Sequence, residues 1–293
     1  MDAARSAITP RNQTCADIDV PAEAEVLLEA IRDIGPCIVA FSGGVDSSVV
    51  AAAAFRAIGQ KVLAVTAVGA AVSGIDRQYA EAIAGEIGIR HLWVETDEID
   101  DADYARNDAR RCYYCKRTLY AKLRQVSDAE SVATIVSGTN ADDLGDYRPG
   151  LQAAAEFGVR APLAELGIGK AAIRRIAAHW KLSVADRPAA PCLSSRLAYG
   201  VGVTHERLRM VERAELLLRE RGFTECRVRV HAGELARIEV PSAALTRFTR
   251  EVDFAEFVAE LKSIGFRYVT LDLDGFRSGS LNPPGARSLP VLG

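Results

Sequence analysis

The segment that most restricts the fold is "PCIVAFSGGVDSSVVAAAAFRAI", residues 36–58. Its first six residues form a short apolar, β-leaning run, the pattern of a buried strand. Its last ten are dominated by alanine and read as a helix. Between them "SGGVDSS" (42–48) must turn the chain within a few residues. A strand passing straight into a helix is the start of a βαβ unit, and such units imply a parallel sheet covered by helices on both faces. The alternation continues. "KVLAVTAVG" (61–69), "RHLWVETD" (90–97) and "VATIVSG" (132–138) read as further strands. "DRQYAEAIAGEIG" (76–88) and "CYYCKRTLYAKLRQV" (112–126) read as helices, as do 22–34, the region around 148–157, and 170–182.

After "VADRPAAPCLSSRLAYGVGV" the pattern changes. A helix over about 204–221 is followed by strands at 226–232 and 236–241, a helix at 253–264 and a last strand at 267–273. The fold class is therefore α/β, with a smaller C-terminal α+β domain. The expected divisions are a disordered lead-in (1–20), a first domain (21–185), a second domain (186–280) and a loose tail rich in Pro and Gly (281–293). The 293 residues suit two such units. The formal net charge of −3 argues against a general polyanion binder, so no nucleic acid is expected as a partner. No run of about 18 apolar residues is found, and the N-terminus lacks the apolar region of a secretory signal. A cytoplasmic protein without membrane contact is expected. Six unevenly spaced cysteines then point to chemistry or metal binding before disulfides.

The turn itself carries the strongest chemical signal. Gly43 and Gly44 let the backbone come close to an anion. The following helix N-terminus offers free N–H groups and the positive end of its dipole. Ser42, Ser47 and Ser48 add hydroxyls. There is no Gly-Lys-Ser/Thr, so this is not a Walker loop. Asp46 among phosphate oxygens makes physical sense with a cation between them.

A second cluster, "SGTNADDLGDYRPG" (137–150), follows the fourth expected strand. Asp142 and Asp143 could hold Mg²⁺ there, and Arg148 a phosphate or carboxylate. The same residues also suit a turn with a helix cap. "RCYYCK" (111–116) offers Cys112 and Cys115, which is half a zinc site or a reactive pair near a helix start. Equally, they are small residues on a helix whose work falls to Arg111 and Lys116. His91, His179, His205 and His231 are scattered and read as structural or exposed. "APCLSSRL" (190–197) places Cys192 in a loop among small polar residues and Arg196. Arg227 and Arg229 alternate with valines, which puts both on one face of a strand.

"FSGGVDSS" resembles the PP-loop ATP pyrophosphatases, which spend ATP to adenylylate a substrate. That likeness implies that Ser42, Gly44, Asp46, Ser47 and Ser48 surround pyrophosphate and Mg²⁺. The order of SGGVDSS, RCYYCK, GTNADDLGDYRPG and PCLSSR, with "CRVRVHAGELARIEV" and "GFRYVTLDLDGFRSGSLN" after them, resembles the LarE family of ATP-dependent sacrificial sulfur transferases. The resemblance covers nearly the whole chain. It implies a homo-oligomer that adenylylates pyridinium-3,5-biscarboxylic acid mononucleotide during assembly of the nickel-pincer cofactor of lactate racemase. It implies Cys192 as the nucleophile and sulfur donor, converted to dehydroalanine. It implies Glu215 as the base for Cβ–S cleavage. It also suits Arg196, Arg227, Arg229, Arg148 and Lys116 to an anionic substrate, and a cation such as Arg196 would favour the thiolate. Ser137 stands where that family leads one to expect an acidic residue. Some relatives carry a [4Fe–4S] cluster on three cysteines. Cys192 and Cys226 are possible members here, but with no tight three-cysteine set around Cys192 the sacrificial type is favoured.

Three other readings fit parts of the sequence. A PP-loop tRNA thiolase would need a basic RNA-binding surface. An ammonia-using ligase of the NAD or GMP synthetase kind would not need a loop cysteine. A non-catalytic nucleotide-binding regulator would bind ATP without releasing pyrophosphate.

Overall fold

A computed structural model describes residues 20–145, 149–188, 190–277 and 280–281. The first half runs α1 (Val20–Ile34), β1 (Cys37–Ala40), α2 (Val45–Ile58), β2 (Val62–Val68), α3 (Gly74–Ile87), β3 (Arg90–Glu95), α4 (Ala102–Ala105), α5 (Arg111–Glu130), β4 (Thr134–Ser137), α6 (Pro149–Glu156), α7 (Pro162–Glu165) and α8 (Lys170–His179). The second half runs α9 (His205–Glu220), β5 (Arg227–His231), β6 (Leu235–Glu239), α10 (Leu245–Glu251), α11 (Phe254–Ile264) and β7 (Tyr268–Leu271).

The first sheet has the order β3-β2-β1-β4 and is parallel throughout. Cys37 lies opposite Val62 on one side and Thr134 on the other, which makes β1 a central strand. Cys37 and Val39 face a core shared with α1, α2, α3 and α8. Ile38 faces a second core with Leu63, Tyr120, Leu123 and Ile135, beneath α5 and α6. Burial on both faces is why β1 reads as a continuous apolar run. β3 lies at the edge and leaves Leu92 and Trp93 exposed. This is the α/β architecture expected, with helices on both faces.

The second sheet has the order β5-β6-β7, with β5 antiparallel and β7 parallel to β6. Leu208, Val211 and Leu218 of α9 and Phe257 and Leu261 of α11 fill its core. Ala71, Tyr104 and Tyr114 from the first half pack into that same core. The two halves are thus joined by buried contacts as well as by the chain.

Local chemistry sets the ends. Ser73 accepts a hydrogen bond from Asp76 N (3.1 Å) to start α3, and Gly88 in the left-handed region closes it. Thr204 caps α9 through Arg207 N. The expected helix over 170–182 stops at His179, because Lys181 turns left-handed at φ 58°. The helix expected over 112–126 extends instead from Arg111 to Glu130 and ends at Ser131, φ 55°. α4 and α7 have four residues each, too short for periodicity to reveal. Most of the expected lead-in and tail lie outside the described residues.

Candidate active site

The ends of β1 and β4 meet beside the start of α2. Gly43 sits at φ 69°, and a Cβ there would lie 2.7 Å from the Ala80 Cα. A Cβ on Gly138 would lie 2.6 Å from the Ser47 amide nitrogen. Neither position admits a side chain without moving backbone. Ser47 is buried and braces the turn from inside: its hydroxyl accepts from Ser42 N (3.1 Å) and donates to Gly44 O (3.1 Å). The Ser42 hydroxyl stands 3.0 Å from it and accepts from Gly44 N (3.3 Å). Gly44 has no side chain to cap α2, so the first amides of a buried helix face the cavity mouth, an arrangement suited to phosphate. Ser48 is fully buried, and its hydroxyl has no partner.

Asp46 points one carboxylate oxygen at Lys170 Nζ, 2.5 Å away. Its other oxygen is buried without a partner. Lys170 opens α8 and was not among the residues expected; its signal was a lysine directly after "GIG" at a helix start. The expected trio of Asp46, Asp142 and Asp143 does not converge. The Asp142 carboxylate accepts from Lys170 N (2.7 Å) and so caps α8. Asp143 accepts from Asn140 N (3.1 Å). Among the described residues no three acidic, histidine or cysteine side chains form a metal-holding group. The orphaned oxygen of Asp46 nevertheless fits a cation.

A cavity of about 390 Å³ begins at this turn. Ser42, Gly44, Asp76, Arg111, Lys116, Arg187, Cys112, Cys115 and Cys192 are on its walls. A larger one, about 1180 Å³, shares Ser42, Arg111, Cys112 and Lys116 and adds Asp46, Ser47 and Asp143. Cys112 and Cys115 therefore reach the same space as Cys192, which their spacing in sequence did not reveal. Arg148 lies outside the described residues.

Cys192 is exposed and starts a 3₁₀ turn, Leu193–Arg196. That turn is held on every side. Leu193 N donates to Ala71 O (2.9 Å). The Tyr104 hydroxyl lies 2.6 Å from that of Ser194, and Arg111 donates to Ser194 O (2.8 Å). Arg229 donates to Ser195 O (3.2 Å). Arg196 donates to Pro191 O and to Cys192 O (3.0 Å). Tyr104 and Arg187 were not singled out in the sequence, since nothing local marks them.

Arg196 and Glu215 form a buried ion pair, 2.9 Å, with both side chains at most 5% exposed. Burial works against the arginine charge, and Glu215 more than offsets it and raises its pKa. Glu215 also accepts from Arg219 (3.1 Å) and Val228 N (3.3 Å). Both its oxygens are engaged, so it is placed to orient Arg196. Arg227 and Arg229 do share a strand face, but their surroundings differ. Arg229 is buried and paired with the fully buried Glu239 at 2.9 Å. Arg227 lies over the Phe276 ring at 5.0 Å, and burial, with Arg196 nearby, lowers its pKa.

Arg187 bridges the cavity mouth. It donates to Gly43 O (3.2 Å) and to Asp76 (2.7 Å), and lies 3.8 Å over the Tyr79 ring. The loop that carries Cys192 is thereby tied to the phosphate turn.

Residues 25–155 match the Asparagine synthase family. "Uncharacterized protein slr1717" of Synechocystis is 43% identical over 258 residues, 88% of this chain and 96% of that protein. "Pyridinium-3,5-bisthiocarboxylic acid mononucleotide synthase" of Lactiplantibacillus plantarum is 36% identical over 257 residues, 87% of this chain and 92% of that protein. "Uncharacterized protein MJ0830" of Methanocaldococcus jannaschii is 32% identical over 173 residues, 59% of this chain and 66% of that protein. With a PP-loop α/β half and identity extending through the cysteine loop into the second half, the chain belongs to the LarE family.

Proposed function

We propose that this protein is an ATP-dependent sulfur transferase acting on pyridinium-3,5-biscarboxylic acid mononucleotide. ATP would bind at the turn Ser42–Ser48, where the uncapped amides of α2 favour phosphate. A substrate carboxylate would attack the α-phosphorus, giving an acyl adenylate and pyrophosphate. The Cys192 thiolate would then attack the acyl carbon, and AMP would leave. Removal of the Cys192 Cα proton would break Cβ–S, giving a thiocarboxylate product and dehydroalanine in the chain. Residues 21–185 would activate the substrate and 186–280 would deliver sulfur. The observation that carries this reading is that exposed Cys192 lines the cavity that begins at the phosphate turn. Proximity of this kind is what acyl transfer needs.

Lys116 and Arg111, on the wall shared by both cavities, suit the anionic substrate. Asp46, with its unpartnered oxygen, would hold Mg²⁺, which would supply charge neutralisation of the phosphates. Lys170 would share that task. A [4Fe–4S] centre fits less well, because Cys112, Cys115 and Cys192 share a cavity without converging as ligands among the described residues. The same proposal takes the protein as cytoplasmic and as a homo-oligomer; the edge strand β3, with Leu92 and Trp93 exposed, would suit contact with a second copy. Among the described residues no helix is long and apolar enough to cross a membrane.

Intact mass before and after incubation with ATP and the pyridinium dicarboxylate tests the reading. One turnover per chain is expected, with loss of the elements of hydrogen sulfide from the peptide holding Cys192. Cys192→Ala should release pyrophosphate but form no thioester. Many turnovers without added sulfide, or sulfur lost from Cys112 or Cys115, would remove Cys192 as the reagent.

A further inference from the structure

The carbonyl oxygen of Cys192 is held by an unusual number of donors. Ser195 N donates to it at 3.0 Å, as expected for the first bond of the 3₁₀ turn. The Ser195 hydroxyl donates as well, at 2.7 Å. Arg196 adds its guanidinium at 3.0 Å. The guanidinium is fixed from behind, since its Nε donates to Glu215 at 2.9 Å and its Nη2 to the same carboxylate at 3.2 Å. A neutral peptide oxygen has two lone pairs and needs no third donor, least of all a cation. Three donors, one charged, suit an oxygen that becomes more negative than a peptide carbonyl.

Such a charge arises if the Cys192 Cα loses its proton. The Cα lies beside this carbonyl, so the electron pair released from C–H spreads onto the oxygen as an enolate. We propose that Ser195 and Arg196 form an oxyanion site for the enolate of Cys192, making them catalytic residues for cleavage of its own Cβ–S bond. This rests on the sulfur-transfer reading above. The step balances as follows. A solvent-borne base, which the exposed position of Cys192 admits, takes the Cα proton. The electron pair forms the enolate, then returns to make Cα=Cβ, and Cβ–S breaks. Sulfur departs with its bonding pair as the thiocarboxylate, a good leaving group. No oxidant or reductant is involved. Donors already aimed at a developing oxyanion need no reorganisation during the step, and losing one in other enzymes slows reaction on the order of 10²-fold. Glu215 then acts as a positioning residue, holding the guanidinium, and the Cα proton goes to another base.

The test uses elimination that does not depend on ATP. Cysteines of the full chain are converted to S-dinitrophenyl thioethers, and dehydroalanine formation in mild base is followed peptide by peptide. Cys112, also exposed, is the internal control. Cys192 should eliminate at least about tenfold faster than Cys112, and Ser195→Ala should remove most of that advantage. Ser195 is only half-buried, and an unchanged urea midpoint would show that the variant is folded. Equal rates at Cys192 and Cys112, or a Ser195→Ala rate equal to wild type, would overturn the proposal. A second arm adds ATP and the pyridinium dicarboxylate. There the thioester-bearing chain should accumulate over the dehydroalanine chain in Ser195→Ala. No thioester in either protein would sink the sulfur-transfer reading, while the chemical arm still decides the oxyanion site.

Discussion

Burial pushes the thiols of Cys37, Cys115 and Cys226 up to about 12. For Cys115 the nearby Cys192 thiol acts in the same direction. A raised pKa means a smaller thiolate fraction at any pH below it, and the thiolate is the nucleophile. Cys112 and Cys192 are exposed. Brief iodoacetamide treatment at pH 8 should therefore label Cys112 and Cys192 well before Cys37, Cys115 and Cys226, read by peptide mass. Equal labelling of Cys115 would show that the cavity wall opens. At this scale the sequence was partly legible. Prolines and small polar residues around Cys192 marked an exposed loop; Pro191 and Cys192 are exposed, while Leu193, Ser194 and Arg196 behind them are buried. The partners of that loop were not legible. Arg196 and Glu215 lie 19 residues apart, and nothing local to either says that they meet in a buried pair. Asp142 was ambiguous for a similar reason: a carboxylate that caps a helix and one that binds metal have the same local sequence.

At the scale of elements, the 3₁₀ turn that carries Cys192 is set by strands β5 and β6. Alternation on β5 correctly placed Arg227 and Arg229 on one face. It could not say that β6 would bring Glu239 opposite Arg227, because register depends on pairing across a turn. The Arg229–Glu239 pair is buried, and Glu239 accepts also from Arg237 (2.9 Å) and Ser280 (2.6 Å). Removing one partner of a buried pair leaves the other charge without compensation, which costs about 3–5 kcal/mol. Arg229→Ala should therefore lower the urea midpoint of the whole protein markedly, and Glu239→Gln should do likewise. Sulfur transfer should fall with it, since Arg229 also holds Ser195 O. An unchanged midpoint with weaker substrate binding would instead make Arg229 a direct substrate ligand.

On the scale of the whole molecule, the parallel sheet and its strand-to-helix turn were readable because both faces of β1 are buried and a helix must follow the glycines. The cavity between the first sheet and the cysteine loop was not readable, because it is assembled from segments more than a hundred residues apart. Arg187 is the clearest case. It follows directly on the chain toward Cys192, yet its partners are Gly43, Asp76 and Tyr79. It lies in the cavity wall with both the glycine turn and Cys192. On the proposed reaction, Arg187 would link occupancy of the turn to the position of the thiol. An acyl adenylate that waits for a misplaced nucleophile is lost to water, and a shift of about 1 Å can cost on the order of 10²-fold in such transfers. Arg187→Ala should thus keep releasing pyrophosphate while forming less thioester, with thioester per pyrophosphate falling at least about tenfold. Quenched-flow sampling for pyrophosphate and for the thioester-bearing chain reads both quantities in one experiment. A proportional loss of both would place Arg187 in ATP binding alone, and a wild-type ratio would leave the bridge from the cysteine loop to the phosphate turn without a part in the reaction.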